Sequence, residues 1–191
     1  MGVEPEVRIA PATAADAPVL LALIRGLAEY ERMTADCVAT EAALRESLFG
    51  ARPAAEAVIA WAGGEGAARG EGAARGEAAA APVPVGFALY FHNYSTFLAR
   101  RGLYLEDLFV RPEWRGCGLG KRLLAHVARV AVERGCRRLE WSVLDWNEPA
   151  LRFYRALGAV ALDGWTVHRL AGDGLERLAA AAVDPDPRLR A

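Results

Sequence analysis

Two short stretches of this chain could carry out chemistry together. Residues 104–110 form an apolar segment that contains the adjacent acids Glu106 and Asp107, and residues 115–121 have glycine at positions 116, 118 and 120. Glycines at this spacing let successive backbone N–H groups point toward one anion, and a helix that follows adds the positive end of its dipole. The two segments therefore predict a site for a phosphorylated carrier beside a site for a cation.

Two common phosphate-binding motifs do not match this loop. A nucleotide-hydrolase phosphate loop needs glycine five positions before its Gly-Lys pair and serine or threonine after it, but those positions hold Arg115 and Arg122. The dinucleotide-binding fingerprint needs a third glycine where this chain has Leu123. Glycine before a helix also arises simply to allow tight packing. An anion bound here would belong to a different phosphate carrier.

Composition limits the class of protein. The chain has 191 residues, 53% of them hydrophobic, which suits one compact domain over residues 1–191. Its formal net charge of -1 gives no bulk attraction to nucleic acid or to an anionic membrane, and no apolar run approaches the roughly 20 residues that cross a bilayer. The three cysteines are widely spaced, the three histidines lack ligand spacing, and no signal sequence is evident. We expect a reduced, cytoplasmic protein without a metal site.

Hydrophobic periodicity predicts a mixed α/β order of elements. Strands are expected at residues 7–10, 57–61, 85–91, 103–110, 138–144 and 165–170, and helices at residues 13–31, 41–48, 118–134, 149–157 and 175–182. The sequence GEGAAR occurs twice within residues 63–82, which contain no aromatic or β-branched side chain. Such a segment cannot contribute to a core, so we interpret residues 63–82 as a low-complexity loop insertion.

Several motifs in order carry a family resemblance. Residues 115–120 resemble the Arg/Gln-x-x-Gly-x-Gly/Ala signature of the GCN5-related N-acetyltransferases (GNAT), whose loop holds the diphosphate of acetyl-CoA. Residues 9–16, 104–110, 143–147, 153–154 and 158–159 resemble the spermidine/spermine and thialysine N-acetyltransferase branch of that family. The resemblance implies the GNAT fold, a single α/β domain whose mixed, mostly antiparallel twisted sheet has helices on both faces. It also implies a homodimer with acetyl-CoA as co-substrate.

The resemblance assigns residues to the cofactor. Adjacent side chains of a regular strand point to opposite faces, so Glu106 and Asp107 can share a pocket only if the strand bulges, as the family implies. The bulge would open a gap against residues 138–144 for the cofactor arm and free backbone N–H groups near its carbonyl. The residues implied for cofactor binding are Leu108, Phe109, Val110, Arg115, Gly116, Cys117, Gly118, Leu119, Gly120, Lys121 and Asn147.

The chemistry of acyl transfer to an amine suggests catalytic roles for the acids, and the resemblance adds a role for Tyr154. A primary amine attacks only after losing its proton, and Glu106 is the candidate acceptor, acting through water. Asp107 and Glu31 would bind the cationic part of the substrate, with Tyr30 lining the same pocket. Tyr154 would donate a proton to the departing thiolate. Cys117 has no evident histidine partner, so we expect direct transfer within a ternary complex.

The choice of substrate stays open at this point. The three acids suit a diamine or polyamine, or a thialysine- or lysine-like amino acid whose carboxylate would meet Arg100 or Arg101. Residues 94–97 and 144–147 look more like the thialysine branch. The alternatives are a protein-lysine acetyltransferase and a non-catalytic acyl-CoA-binding module. We expect a small amine as partner, with no nucleic acid and no membrane.

Overall fold

The structure, a computed structural model, describes residues 6–63 and 81–182. These residues divide after Ser142 into two compact units. The prediction of one domain over residues 1–191 stays a prediction. Apart from residues 63, 81 and 82, the expected low-complexity insertion lies outside the described residues.

The first unit contains a five-stranded mixed sheet. Strands β1 to β4 pair with their neighbours in antiparallel fashion, and β5 is parallel to β4. This arrangement confirms the expected mixed, mostly antiparallel sheet. The strands, in sheet order, are β1 (Val7–Pro11), β2 (Glu56–Ala62), β3 (Val83–Ser95), β4 (Arg100–Val110) and β5 (Leu139–Glu140).

The helices lie close to their expected positions. They are α1 (Ala17–Tyr30), α2 (Glu41–Phe49), α3 (Leu119–Glu133), α4 (Glu148–Ala156) and α5 (Asp173–Ala180). A one-turn helix precedes α1, and there Asp16 accepts hydrogen bonds from the backbone N–H and hydroxyl of Thr13 at 2.8 and 2.7 Å. The hydroxyl of Thr40 accepts from the N–H of Ala43 at the start of α2. The bonds from the N–H groups of Thr13 and Ala43 give partners to backbone donors that a helix start leaves unpaired.

Helices cover both faces of the sheet in the first unit. One face packs on α1 and α2 through a buried core formed by Leu20, Leu23, Leu48, Ala57, Ile59, Phe87, Leu89 and Phe109. A Cβ at Gly86 would lie 3.4 Å from the Leu123 side chain of α3. Because adjacent strand residues point to opposite faces, Gly86 and Phe87 show that α3 lies on the face away from α1. We call the face beneath α1 and α2 the α1 face.

Two expected strands differ from the structure. The expected strand at residues 165–170 is wrong, since these residues have no regular structure and Trp165 and Val167 are exposed. The expected strand at residues 138–144 is reduced to Leu139–Glu140, which pairs with only Leu103 and Tyr104. An apolar run becomes a strand only where a neighbouring strand satisfies its backbone and a surface covers its side chains. Neither condition can be judged from the run itself.

Candidate active site

Strand β4 contains the expected bulge. Asp107 pairs with Leu89, but the next residue of β3, Tyr90, pairs with Leu105. Glu106 is therefore the extra residue that has no partner in the β3–β4 ladder. The ladder confirms the irregularity that the adjacent acids require if they are to share a pocket.

The bulge places both acids on the α1 face. Leu89 belongs to the core beneath α1, and Asp107 lies opposite it in the ladder. Before the bulge, Tyr104 lies opposite Phe91 on the same face, with the two ring centroids 5.3 Å apart. Glu106 follows Tyr104 by two positions, so normal alternation points it to this face as well. The strand thus presents two neighbouring carboxylates toward one helix.

Three acids meet on the α1 face. Asp107 is largely buried, whereas Glu106 is exposed. Burial, together with the negative charges of Glu106 and Glu31, raises the pKa of Asp107 from 3.8 to about 7. Burial also raises the pKa of Glu31 above its ordinary value. The electrostatic effect of Glu106 and Glu31 on Asp107 indicates that the three carboxylates expected to serve a cationic substrate lie near one another.

Tyr30 directly precedes Glu31 at the end of α1, and it has an unexpected neighbour. The Arg115 guanidinium lies over the Tyr30 ring at 4.3 Å from the centroid. Its Nε donates a hydrogen bond to the carbonyl of Val110 at 2.9 Å. The loop motif predicts that Arg115 binds the cofactor, yet its side chain extends to the helix that precedes Glu31. No sequence pattern reveals this contact, because Tyr30 and Arg115 lie far apart in the chain.

The glycine loop has the backbone that an anion cradle needs. Gly116 and Gly118 have φ values of 82° and 79°, a left-handed conformation that disfavours residues with a Cβ. A Cβ at either position would meet no atom within 4 Å. The glycines therefore serve the backbone conformation, not close packing. Gly118 directly precedes α3, so the positive end of the α3 dipole lies at the loop.

The side chains around the loop differ in what they contact. The Cys117 thiol donates to the carbonyl of Trp114 at 3.0 Å. The Arg122 guanidinium donates to the carbonyl of Val7 in β1. Lys121 is exposed in the first turn of α3. Both basic residues of this turn are exposed, but the Arg122 guanidinium is directed to β1.

The ladder between β4 and β5 is short. It joins Leu103 and Tyr104 to β5 and does not continue to residues 108–110. The hydroxyl of Tyr104 is 2.8 Å from that of Ser142, which follows β5. Residues 108–110 therefore lie beyond the β4–β5 ladder, as the assignment of their backbone to the cofactor arm requires.

Asn147 and Tyr154 belong to the second unit. The Asn147 side chain is buried and its Oδ1 accepts from the N–H of Ala150 at 3.3 Å, which caps α4. Tyr154 is half-buried on α4, with its ring centroid 5.1 Å from that of Phe153. Their roles toward the cofactor stay predictions.

A cavity opens on the α1 side of β4, and no sequence pattern predicted it. It has a volume of about 380 Å³ and borders Tyr30 and Phe109. A Cβ at Gly26 would lie 3.2 Å from the Phe109 ring, so glycine here lets the ring approach α1. The remaining lining residues are Ala22, Leu23, Glu29, Arg111, Pro112 and Glu113. Positions 22, 26 and 29 follow helical spacing, which is the signal that could have predicted a shared surface.

Two further properties concern metals and membranes. Within residues 6–63 and 81–182, no group of three or more His, Cys, Asp and Glu side chains is arranged to hold a metal ion. In the same residues, no helix has both the length and the apolar character needed to cross a bilayer.

Known acetyltransferases are similar in sequence to this chain. A model of the Acetyltransferase (GNAT) family matches residues 73–159. A thialysine N-epsilon-acetyltransferase of Bos taurus is 39% identical over 176 residues, which cover 91% of this chain and 97% of the relative. An L-ornithine N5-acetyltransferase of Arabidopsis thaliana is 34% identical over 198 residues, which cover 90% of this chain and 87% of the relative.

Solved structures share the fold. An integron cassette protein from the mobile metagenome of V. cholerae superposes with a TM-score of 0.68 at 24% identity, over 92% of this chain and 98% of that one. An aminoglycoside N-acetyltransferase solved in complex with CoA superposes with a TM-score of 0.60 at 20% identity, over 88% of this chain and 97% of that one. At these identities the likeness concerns the fold.

Proposed function

Because this chain belongs to the GCN5-related N-acetyltransferase (GNAT) family, it is an acetyl-CoA-dependent N-acetyltransferase for small amines, and we propose that its substrate is a cationic amino acid or diamine. The observation that carries the proposal is the β4 bulge, which directs Glu106 and Asp107 to the same face as Glu31. Three carboxylates around one site favour a substrate with more than one positive charge or donor. The relatives named for thialysine and L-ornithine point to an amino acid that bears a distal amine.

The glycine loop is the proposed cofactor site. Acetyl-CoA supplies an activated acetyl group as a thioester. The left-handed backbone at Gly116 and Gly118 would let N–H groups turn toward a common point, and the start of α3 adds its dipole, which fits a diphosphate. Lys121 adds a positive charge nearby. Backbone groups of residues 108–110 and the Asn147 amide would hold the pantetheine arm.

The acids prepare the amine for attack. An alkyl ammonium has a pKa of about 10.4, so near neutral pH the substrate arrives protonated. Asp107 and Glu31 bind its charge, and Glu106, which is exposed, accepts the proton through a water molecule. The free nitrogen then forms the C–N bond as the C–S bond breaks, and the nitrogen loses its second proton to solvent.

The departing thiolate needs a proton, and Tyr154 is the proposed donor. The reaction transfers the acetyl group directly between the two substrates. Cys117 lies in the loop with its thiol on the Trp114 carbonyl, which gives it no activating base in that contact. An acetylated Cys117 that forms and decays at the rate of turnover would contradict direct transfer.

A substrate panel tests the function. The purified enzyme is assayed for CoA release with thialysine, lysine, ornithine, spermidine, an aminoglycoside and a lysine-containing peptide. We expect the largest kcat/KM for one of the small amino acids or for spermidine. Turnover of the peptide alone would establish a protein-lysine acetyltransferase. Acetyl-CoA binding by calorimetry without CoA release from any amine would establish a binding module.

We further propose a cytoplasmic homodimer. The dimer rests on the resemblance to the thialysine branch. The cytoplasmic location rests on Cys37, Cys117 and Cys136, which form no disulfide in the structure. Light scattering that gives the mass of one chain would contradict the dimer.

Replacing Gly118 by alanine tests the cofactor loop. The new Cβ would strain a residue with φ of 79° and project into the space left for the diphosphate. We expect acetyl-CoA affinity, measured by calorimetry, to fall about tenfold or more, and the free energy of unfolding to fall by about 1–2 kcal/mol.

Gly135 provides the matched control for this loop variant. It follows the other end of α3, has φ of 68° and also faces open space. Gly135→Ala should therefore lower stability to a similar extent and leave acetyl-CoA affinity unchanged. Equal losses of affinity in the two variants would show that the loop acts only through stability.

A further inference from the structure

We propose that Arg115 is a positioning residue for the amine site, because its guanidinium clamps Tyr30 to the end of β4 and so holds Glu31 beside the bulge. This proposal rests on the proposed function. It identifies the Arg115 side chain as the link between the cofactor loop and the amine site. It departs from the assignment of Arg115 to the cofactor diphosphate.

The clamp has three contacts on one side chain. The Arg115 Nε donates to the Val110 carbonyl at 2.9 Å, which ties the guanidinium to the last residue of β4. The guanidinium carbon lies 4.3 Å from the Tyr30 ring centroid and 5.8 Å from that of Phe109. A planar cation between two rings gains from the negative face of each ring, and its direction is fixed by the hydrogen bond.

The contact between Arg115 and Tyr30 lies where α1 ends and the chain changes direction. Tyr30 is the last residue of α1, and the next residue, Glu31, has its N–H bonded to the Leu27 carbonyl. Arg32 then takes φ of 61°, a left-handed conformation that is uncommon for a residue with a side chain. The chain therefore turns away immediately after Glu31. The clamp on Tyr30 sets where this turn, and with it the Glu31 carboxylate, lies relative to Asp107.

The other end of the clamp belongs to the cofactor loop. Arg115 is followed directly by Gly116, the first of the two glycines with positive φ. Ordering of the loop around an anion therefore favours the position of Arg115 that holds Tyr30. Because coupling between two binding sites is reciprocal, the cofactor should strengthen amine binding, and the amine should strengthen cofactor binding by the same factor.

Two roles of Arg115, diphosphate binding and the contact with Tyr30, have different experimental consequences. A guanidinium that serves the diphosphate predicts a loss of acetyl-CoA affinity when it is removed. A guanidinium that lies on Tyr30 predicts a loss of amine affinity and a looser α1 terminus. These losses occur in different measurements.

The experiment compares Arg115→Met, Tyr30→Leu and the double variant with the unchanged enzyme. We expect Arg115→Met to raise the amine KM about five- to tenfold, the size of a cation–π contact, with acetyl-CoA Kd within about twofold. The double variant should have an amine KM no higher than that of the worse single variant. Calorimetry should show the coupling between CoA and amine falling toward a factor of one in Arg115→Met.

Hydrogen exchange gives a readout independent of turnover. The amides of Glu31 and Met33 bond to the carbonyls of Leu27 and Ala28 at 2.9 and 2.8 Å. Their exchange should become about five- to tenfold faster in Arg115→Met, because the contact that closes the helix end is lost. Arg111→Met is the control, since Arg111 directly follows β4 but its Nε donates to the Pro84 carbonyl. This control should change neither exchange at residues 31–33 nor the amine KM.

Three outcomes would overturn the inference. They are a raised acetyl-CoA Kd with an unchanged amine KM, strictly multiplicative effects in the double variant, and unchanged exchange at residues 31–33 in Arg115→Met. An enzyme without turnover of any small amine would instead refute the proposed function, and the exchange result would still decide the clamp.

Discussion

Replacing Tyr154 by phenylalanine is expected to lower kcat about 100- to 1000-fold. The change removes one hydroxyl from a half-buried ring on α4 and keeps the ring that contacts Phe153. A thiolate that leaves without a positioned acid must take its proton from water, and a positioned general acid contributes about 10²- to 10⁴-fold. Single-turnover kinetics at saturating amine measure the chemical step directly. The Kd for acetyl-CoA should change little, because the hydroxyl acts mainly in the transition state.

Tyr94 supplies the control for this variant. It is an exposed tyrosine at the end of β3, and the same substitution there removes a hydroxyl that faces solvent. Tyr94→Phe should keep the rate of the single turnover. If Tyr154→Phe retained half of the original rate, the proposed acid would have to be a different group.

The sequence predicted the first unit well because its signals are local. The sequence predicts a glycine turn over residues 116–120 before an amphipathic helix. The structure has positive φ at Gly116 and Gly118, while Gly120 lies within α3. The bulge was expected because Glu106 and Asp107 are adjacent in a strand. Their side chains can face one pocket only if the strand is irregular there. The resemblance implies this irregularity, and the β3–β4 ladder confirms the bulge.

Features that depend on distant contacts could not be predicted in this way. The apolar content of residues 165–170 is typical of a strand, but pairing requires a neighbour that composition does not identify. Arg115 has the residue type expected for a phosphate site, and only the folded chain shows its guanidinium on Tyr30. The depth at which Asp107 is buried follows from α1 and the bulge together. Local patterns therefore predict the residues of the site better than they predict the contacts between them.

Asp107 should make the protein less stable as pH rises from about 4 to about 7. In the unfolded chain an aspartate loses its proton near pH 4, whereas burial and the charges of Glu106 and Glu31 raise the pKa of folded Asp107 to about 7. Between these values the folded state holds a proton that the unfolded state releases. The stabilisation is therefore complete below pH 4 and is lost as pH approaches and passes 7. A difference of about three pKa units corresponds to at most about 4 kcal/mol.

Asp107→Asn removes this titration while keeping nearly the same shape. The free energy of unfolding, measured by urea denaturation from pH 4 to pH 8, should fall less steeply with pH in the variant. The free energy of unfolding of the variant minus that of the unchanged protein should therefore rise by up to about 4 kcal/mol between pH 4 and pH 8. Asp36→Asn, at an exposed aspartate in the one-turn helix Thr34–Asp36, should follow the unchanged protein throughout. Parallel curves for Asp107→Asn and the unchanged protein would show that this carboxyl is not buried as the structure has it.

The same carboxyl links stability to substrate binding. A cationic amine beside Asp107 favours its charged form, so the amine lowers the Asp107 pKa and displaces a proton near pH 7. Calorimetry in two buffers of different ionisation enthalpy should therefore report proton release on amine binding in the unchanged enzyme. Asp107→Asn should bind the amine more weakly and show less of this release. The pKa of Glu31 is also raised. Repeating the titration with Glu31→Gln tests whether the proton release that persists in Asp107→Asn comes from Glu31. Equal proton release with and without Asp107 would remove this residue from the cation site, because a carboxylate that meets the ammonium cannot keep its proton.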